Sequence, residues 1–197
     1  TYIYNLSKFK VSDEKIHLSN KYNIVSVGRL VYQKGYDRLI DVVDLLRKEN
    51  QNFFVSVIGD GDKKNKLVEK VNKLGINNYI EFLGRSNNVS KYLNSADLFV
   101  LTSYSEGAAL VLVEALASHI PVVVPNVTGI KDIKIFAPDN SYILTDNNIE
   151  AIKNGIIDAM NTKISKNFKF SLDDYNKTIL KQYEKVLNGE LWIKYIL

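Results

Sequence analysis

The chain has 197 residues, 46% apolar and 24% charged, with a net charge of +4, a profile that fits one soluble globular domain with room for a core. It contains no cysteine, which excludes disulfides and thiolate metal sites and makes a reducing cytoplasm the expected compartment. No apolar run approaches the ~20 residues of a membrane-spanning helix, and no basic run is interleaved with aromatics as a nucleic-acid stacking platform would be. Nothing at Thr1 reads as a secretory leader, and a first residue other than Met is what a processed chain or an excised fragment would carry.

In chain order, residues 1–21 read as a polar entry segment with a short Tyr2–Tyr4 run. From there β-rich runs alternate with helical ones. Strands are expected at Asn23–Val27, Phe53–Ile58, Tyr79–Leu83, Leu98–Leu101, Pro121–Val124 and Ser141–Leu144. Most are continuous apolar runs, as parallel strands covered on both faces require. Helices are expected at Tyr36–Glu49, Lys63–Leu74, Val89–Asn94, Ala109–Ser118 and Ile149–Met160. In the first, Leu39, Ile40, Val43 and Leu46 form one stripe, with Asp37, Asp41 and Lys48 outside it. Gly75 stands where a left-handed cap would end the second. This alternation implies an α/β fold, a Rossmann-like doubly wound parallel sheet of about six strands with helices on both faces and right-handed crossovers. Residues 22–171 would form that domain. Leu172–Leu187 reads as one more helix ended by Asn188-Gly189, leaving Trp192, Ile193, Tyr195 and Ile196 as an apolar tail.

Ligands of open α/β sheets sit where strand ends release the chain into helices. At the first such turn, Gly28-Arg29-Leu30 closes a strand and Lys34-Gly35 opens a helix. Arg29 offers a planar fork for phosphate oxygens and Lys34 a point charge, although two cations in a loop are more often solvated surface. The turn lacks the three glycines of a dinucleotide fingerprint, and no Walker-type motif occurs. Gly59-Asp60-Gly61-Asp62 has the look of an Asp-x-Asp metal motif. Its position before a helix makes Asp62 a cap instead, and no metal is expected.

Ala96–Pro125 is the most informative segment, because its strand–turn–helix carries Glu106 before the helix and Glu114 inside it. Nine glutamates in a chain of this length give about 0.4 pairs at that spacing by chance, so spacing carries little weight. Context carries more. Glu114 lies among Val111, Leu112, Val113, Ala115 and Leu116, where an unpaired carboxylate is costly to bury. The plain alternatives are an exposed Glu114 and a Glu106 that simply favours a helix dipole. Two fixed carboxylates would suit a ribose and a hexose, with phosphates between them over the helix start at Gly107–Leu110. His17 and His119 have no acidic or metal-ligand spacing and read as structural. Lys8, Lys10, Lys163, Lys166 and Lys169 make a scattered basic surface, more simply solvated than bound to phosphate or anionic lipid.

Taken in order, these residues resemble a known family. Val27-Gly28-Arg29-Leu30 and Gln33-Lys34-Gly35 resemble the first loop of the nucleotide-binding half of retaining glycosyltransferases of family 4, group 1 type, which have the GT-B fold. Ile58-Gly59-Asp60-Gly61, Glu81-Phe82-Leu83-Gly84 and Ser95-Ala96-Asp97 look like its next segments. Ser105-Glu106-Gly107 through Glu114-Ala115 looks like its E-x7-E motif, followed by Pro121-Val122-Val123. The likeness spans Tyr22–Ile133, and Ile3-Tyr4-Asn5 resembles the linker that enters this half.

The resemblance implies a donor-binding domain. In it Arg29 and Lys34 neutralise a UDP-sugar or GDP-sugar diphosphate in place of a metal, with Glu106 on the sugar hydroxyls; these three are the implied catalytic residues. Glu114 would hold the ribose, the amides of Gly107, Ala108, Ala109 and Leu110 would meet the phosphates, Gly28 would belong to the donor-binding turn, and Gly84-Arg85 would lie near the base. It further implies a hexosyltransferase of bacterial surface polysaccharide synthesis, peripheral at the inner membrane face or acting on a lipid-linked acceptor. Its acceptor-binding N-terminal domain would precede this chain, and residues 172–197 would pack toward that domain. Two departures stand out. Gly107-Ala108-Ala109-Leu110 replaces Gly-Phe-Gly-Leu, and His119 replaces a glycine before Ile120-Pro121. A nucleotide-sugar epimerase or hydrolase of similar fold, or a non-catalytic interaction module, remains as an alternative.

Overall fold

The computed structural model describes residues 9–12, 14–49, 51–107, 109–130, 141–162 and 168–178. Six strands, β1 (Tyr22–Val27), β2 (Phe53–Ile58), β3 (Ile80–Gly84), β4 (Leu98–Val100), β5 (Val122–Pro125) and β6 (Tyr142–Thr145), form one sheet in the order β3-β2-β1-β4-β5-β6. Every neighbouring pair is parallel. The described helices that connect or follow them are α1 (Tyr36–Lys48), α2 (Lys64–Leu74), α3 (Val89–Ser95), α4 (Leu110–Ala117) and, after β6, α5 (Ile149–Thr162). Every element expected from the sequence is present, with boundaries moved by one or two residues. The exception in extent is the last helix: residues 172–178 are helical, whereas the rest of Leu172–Leu187 and the apolar tail lie outside the described residues.

Apolar runs are continuous in the central strands because these feed two cores. In β4, Leu98 and Val100 join the cluster under α1, α2 and α5, while Phe99 joins the cluster under α3 and α4. β5 divides likewise, Val123 to one face and Val122 with Val124 to the other. Successive side chains of a strand point to opposite faces, so a sheet covered on both sides needs apolar residues at every position. Burying each such side chain contributes roughly 1.5–3 kcal/mol. The cluster under α3 and α4 also takes in Phe168, Phe170 and Tyr175, which fasten the later chain to the domain.

Helix ends explain two local details. Gly75 caps α2 in the left-handed region, φ 65°, as expected. His119 holds φ 56° just past α4, while the amides of His119 and Ile120 donate back to Leu116 and Ala115. The position therefore asks for the backbone that glycine adopts most cheaply. His119 is exposed, and its ring lies 5.8 Å from that of Phe168. Asp62 does not cap α2. The N-cap is Lys63, with no side-chain cap bond, and exposed Asp62 instead pairs with Lys63 Nζ at 3.2 Å. Loop carbonyls meet the entry to the helix: Lys63 N donates to Leu30 O at 3.0 Å and Lys64 N to Gly61 O at 3.1 Å. No described helix is long and apolar enough to cross a membrane.

Candidate functional site

The strand order reverses direction at β1, whose neighbours are β2 on one side and β4 on the other. Helices leaving β1 and β4 therefore diverge, and a crevice opens beyond the carboxyl ends of those strands. A cavity of about 790 Å³ lies there, with Gly28, Arg29, Lys34, Arg85, Leu110 and Glu114 in its wall. With Gly59 and Asp60 also in its lining, residues from four separate turns meet in one place.

One wall of this crevice is laced together. Lys34 Nζ donates to both oxygens of Glu106, at 2.8 and 2.7 Å, and Ser103 Oγ donates to Glu106 Oε1. The Glu106 side chain is only 4% exposed, so this charge is buried but fully partnered, as a buried carboxylate must be. Tyr104 N donates to Gln33 O at 2.9 Å, and Gln33 Nε2 donates to Ser105 O at 3.0 Å. Thr102 Oγ1 donates to Gly35 O at 2.9 Å. Two glycines permit this closeness. Gly35, at φ 63°, has Thr102 O where a Cβ would come within 2.0 Å, and Gly129, at φ 83°, lies so near the next turn that a Cβ would be 2.4 Å from Glu106 O. Any side chain at either would push the Glu106 turn out of place.

The opposite wall is open. The side chains of Arg29, Arg85 and Glu114 make no hydrogen bond or ion pair among the described residues; Arg29 and Arg85 are exposed. Glu114 is half-buried on the cavity side of α4, and desolvation lifts its carboxyl from the ordinary 4.5 to about 7. A carboxylate held in a cavity wall without a partner carries free acceptor capacity toward whatever enters. The N-terminal residue of α4, Leu110, faces the same cavity, and Ala109 before it provides no side-chain cap. First-turn amides of a helix offer donors to an anion.

Gly28, Arg29, Lys34, Arg85, Ala109, Leu110 and Glu114 lie around one cavity. Glu106 stands behind Lys34 rather than in the cavity's lining, and Gly107 is exposed and also off that lining. Ala108 lies outside the described residues. Of the scattered lysines, Lys10 and Lys169 are exposed, whereas Lys8, Lys163 and Lys166 lie outside the described residues. Sequence reasoning missed Arg38, Ser103, Tyr104 and Gly129. A helical arginine or a turn serine carries no periodic signal of its own, and only a glycine between two strand-end turns hints at close approach.

Comparison with known proteins gives a consistent result. The family model described as Glycosyl transferases group 1 matches residues 8–175. An uncharacterized glycosyltransferase of Haemophilus influenzae is 30% identical over 177 residues, 86% of this chain and 50% of that protein. The amylovoran biosynthesis glycosyltransferase AmsD of Erwinia amylovora is 30% identical over 174 residues, 84% of this chain and 48% of that protein. The chain thus spans about half the length of these relatives. Among solved structures, Anabaena HepE in complex with UDP and glucose superposes with a TM-score of 0.68 at 21% identity, over 84% of this chain and 48% of that one. At that identity the likeness establishes the fold, which is that of the GT-B glycosyltransferases.

Proposed function

Because the chain belongs to the glycosyl transferases group 1 family, we propose that it is the C-terminal, donor-binding half of a retaining glycosyltransferase of family 4. The whole enzyme would move a hexosyl residue from UDP or GDP to a glycan or lipid-linked acceptor in surface polysaccharide synthesis. The observation that carries this reading is the convergence of Arg29, Lys34 and Glu114 on one cavity at the point where the strand order reverses. Two cations and helix amides suit a diphosphate. A carboxylate on the far side, with no partner among the described residues, suits ribose hydroxyls.

In this mechanism Arg29, Lys34 and the amides at the start of α4 take the charge that develops on the leaving diphosphate, with no metal required. Glu114 accepts from the ribose, and Gly84-Arg85 flanks the base. Glu106 receives the sugar hydroxyls. Its present partner Lys34 also lines the cavity, so one small movement of that ammonium serves both the phosphate and the carboxylate. Amylovoran synthesis in a relative and the UDP and glucose of a structural neighbour support the substrate class. The relatives' greater length supports a separate acceptor half, toward which residues 172–197 would pack, and predicts no acceptor turnover by this chain alone. A peripheral position at the inner membrane face follows if the acceptor is lipid-linked.

Calorimetry with UDP and GDP, in magnesium and in chelator, tests this directly. Weak binding that ignores the metal is expected; failure of both nucleotides, or a strict metal requirement, overturns it. Glu106→Ala is expected to weaken sugar-nucleotide binding more than binding of the plain nucleotide.

A further inference from the structure

We propose that Arg38 is a positioning residue of this site, holding the turn between β4 and α4 in the shape that presents Glu106, so that its loss removes recognition of the donor's sugar half and spares the nucleotide half. The inference rests on the donor-site reading above and adds a residue to it. Arg38 is the third residue of α1, near the helix end where a cation is least favoured. It is nevertheless 6% exposed, and it makes no ion pair with a carboxylate among the described residues.

Its guanidinium is instead spent on the tips of neighbouring strands. Nε donates to Thr102 O at 3.1 Å, and Nη2 donates to Thr102 O and to Ser103 O, the latter at 2.9 Å. Nη1 donates to Asn147 Oδ1 at 2.7 Å, in the turn after β6. The ring of Tyr104 covers the guanidinium at 4.1 Å, and Tyr104 in turn donates its hydroxyl to Asp37 Oδ2 at 2.9 Å. A planar fork with several fixed donors can bind successive carbonyls and stack at once; an ammonium cannot.

What these bonds hold is the approach to Glu106. Ser103, whose carbonyl takes Nη2, donates its own hydroxyl to Glu106 Oε1. Thr102, the other carbonyl partner, donates to Gly35 O beside Lys34. Arg38 is thus one residue removed from the Glu106 carboxylate, whereas on the other side it reaches only the backbone of the turn that carries Lys34. Arg29 lies at the far end of Lys34's turn, Arg85 in the turn after β3 and Glu114 in the body of α4, and none of them bonds to Arg38.

Calorimetry on this chain with UDP, UDP-glucose, GDP and GDP-mannose separates the possibilities. Arg38→Lys is expected to hold plain-nucleotide affinity within threefold of wild type and to lose tenfold or more of sugar-nucleotide affinity. Adding Glu106→Gln is expected to cost nothing further, since both changes break one linkage. Equal losses on both kinds of ligand, no loss, or additive losses overturn the inference. If circular dichroism finds Arg38→Lys unfolded, Ser103→Ala cuts the same linkage beyond the guanidinium and must give the same split; unchanged sugar-nucleotide affinity in that variant overturns the inference. A wild-type chain that binds none of the four ligands overturns the donor-site reading and this inference together. A wild type that binds beside variants without the split overturns this inference alone.

Discussion

The two walls of the crevice are built on opposite terms. The wall between β1 and β4 satisfies itself: Lys34, Arg38, Ser103 and Glu106 spend their charge and hydrogen-bonding capacity on one another and on the backbone. The wall formed by Arg29, Arg85 and Glu114 makes no such bonds among the described residues, which leaves its capacity for a ligand. A buried charge must be partnered for the fold to stand, whereas an exposed or half-exposed one can wait for a ligand. Damage to the first wall is therefore expected to cost stability as well as donor binding, and damage to the second to cost binding alone.

The largest expected effect tests that division. Lys34→Ala leaves the Glu106 carboxylate buried without its cation and is expected to cost about 3 kcal/mol of stability, read from urea unfolding. Arg29→Ala, on the open wall, is expected to change stability by no more than about 0.5 kcal/mol. Equal losses would erase the distinction. On the binding side, Glu114→Ala removes a charged acceptor and is expected to weaken UDP or GDP binding roughly 10- to 100-fold, with little loss of folding stability.

Glu114 also sharpens the comparison through pH. The folded carboxyl keeps its proton up to about 7, whereas the unfolded chain releases it near 4.5. The folded state therefore binds more protons in that window, so this group lowers stability as pH rises from about 4.5 to 7 and changes nothing further above it. Nucleotide binding runs the other way, because the ionised form is the better acceptor, and affinity is expected to rise about tenfold between pH 6 and 8. Glu114→Gln removes both trends; thermal unfolding and calorimetry across that range check them. The smallest effect lies away from both walls. His119→Gly relieves a left-handed backbone and is expected to stabilise by about 0.5–1 kcal/mol, less what the contact with Phe168 contributes, with no change in nucleotide affinity.

Legibility followed the range of the interaction. β1, β2 and α1 were readable because apolar runs and stripes report burial along a single element, and Gly75 because a cap is a local event. Asp62 misled because Leu30 O from a neighbouring turn and Gly61 O from the same loop met the start of α2 instead of a side chain. Glu114 was legible as a carboxylate among apolar residues. Arg38 was not, since a helical arginine looks like solvated surface until the carbonyls that bury it are in place.

From its order of residues alone the chain determined six parallel strands, the helices between them, and the turns that carry Arg29, Lys34, Glu106 and Glu114. Tertiary structure decided which of those charges are free. Lys34 and Glu106 are 72 positions apart, and they meet only because β1 lies beside β4, which sets their turns against each other. Hydrophobic periodicity encodes which face of an element is buried; it does not encode which buried charge will find its partner across the sheet.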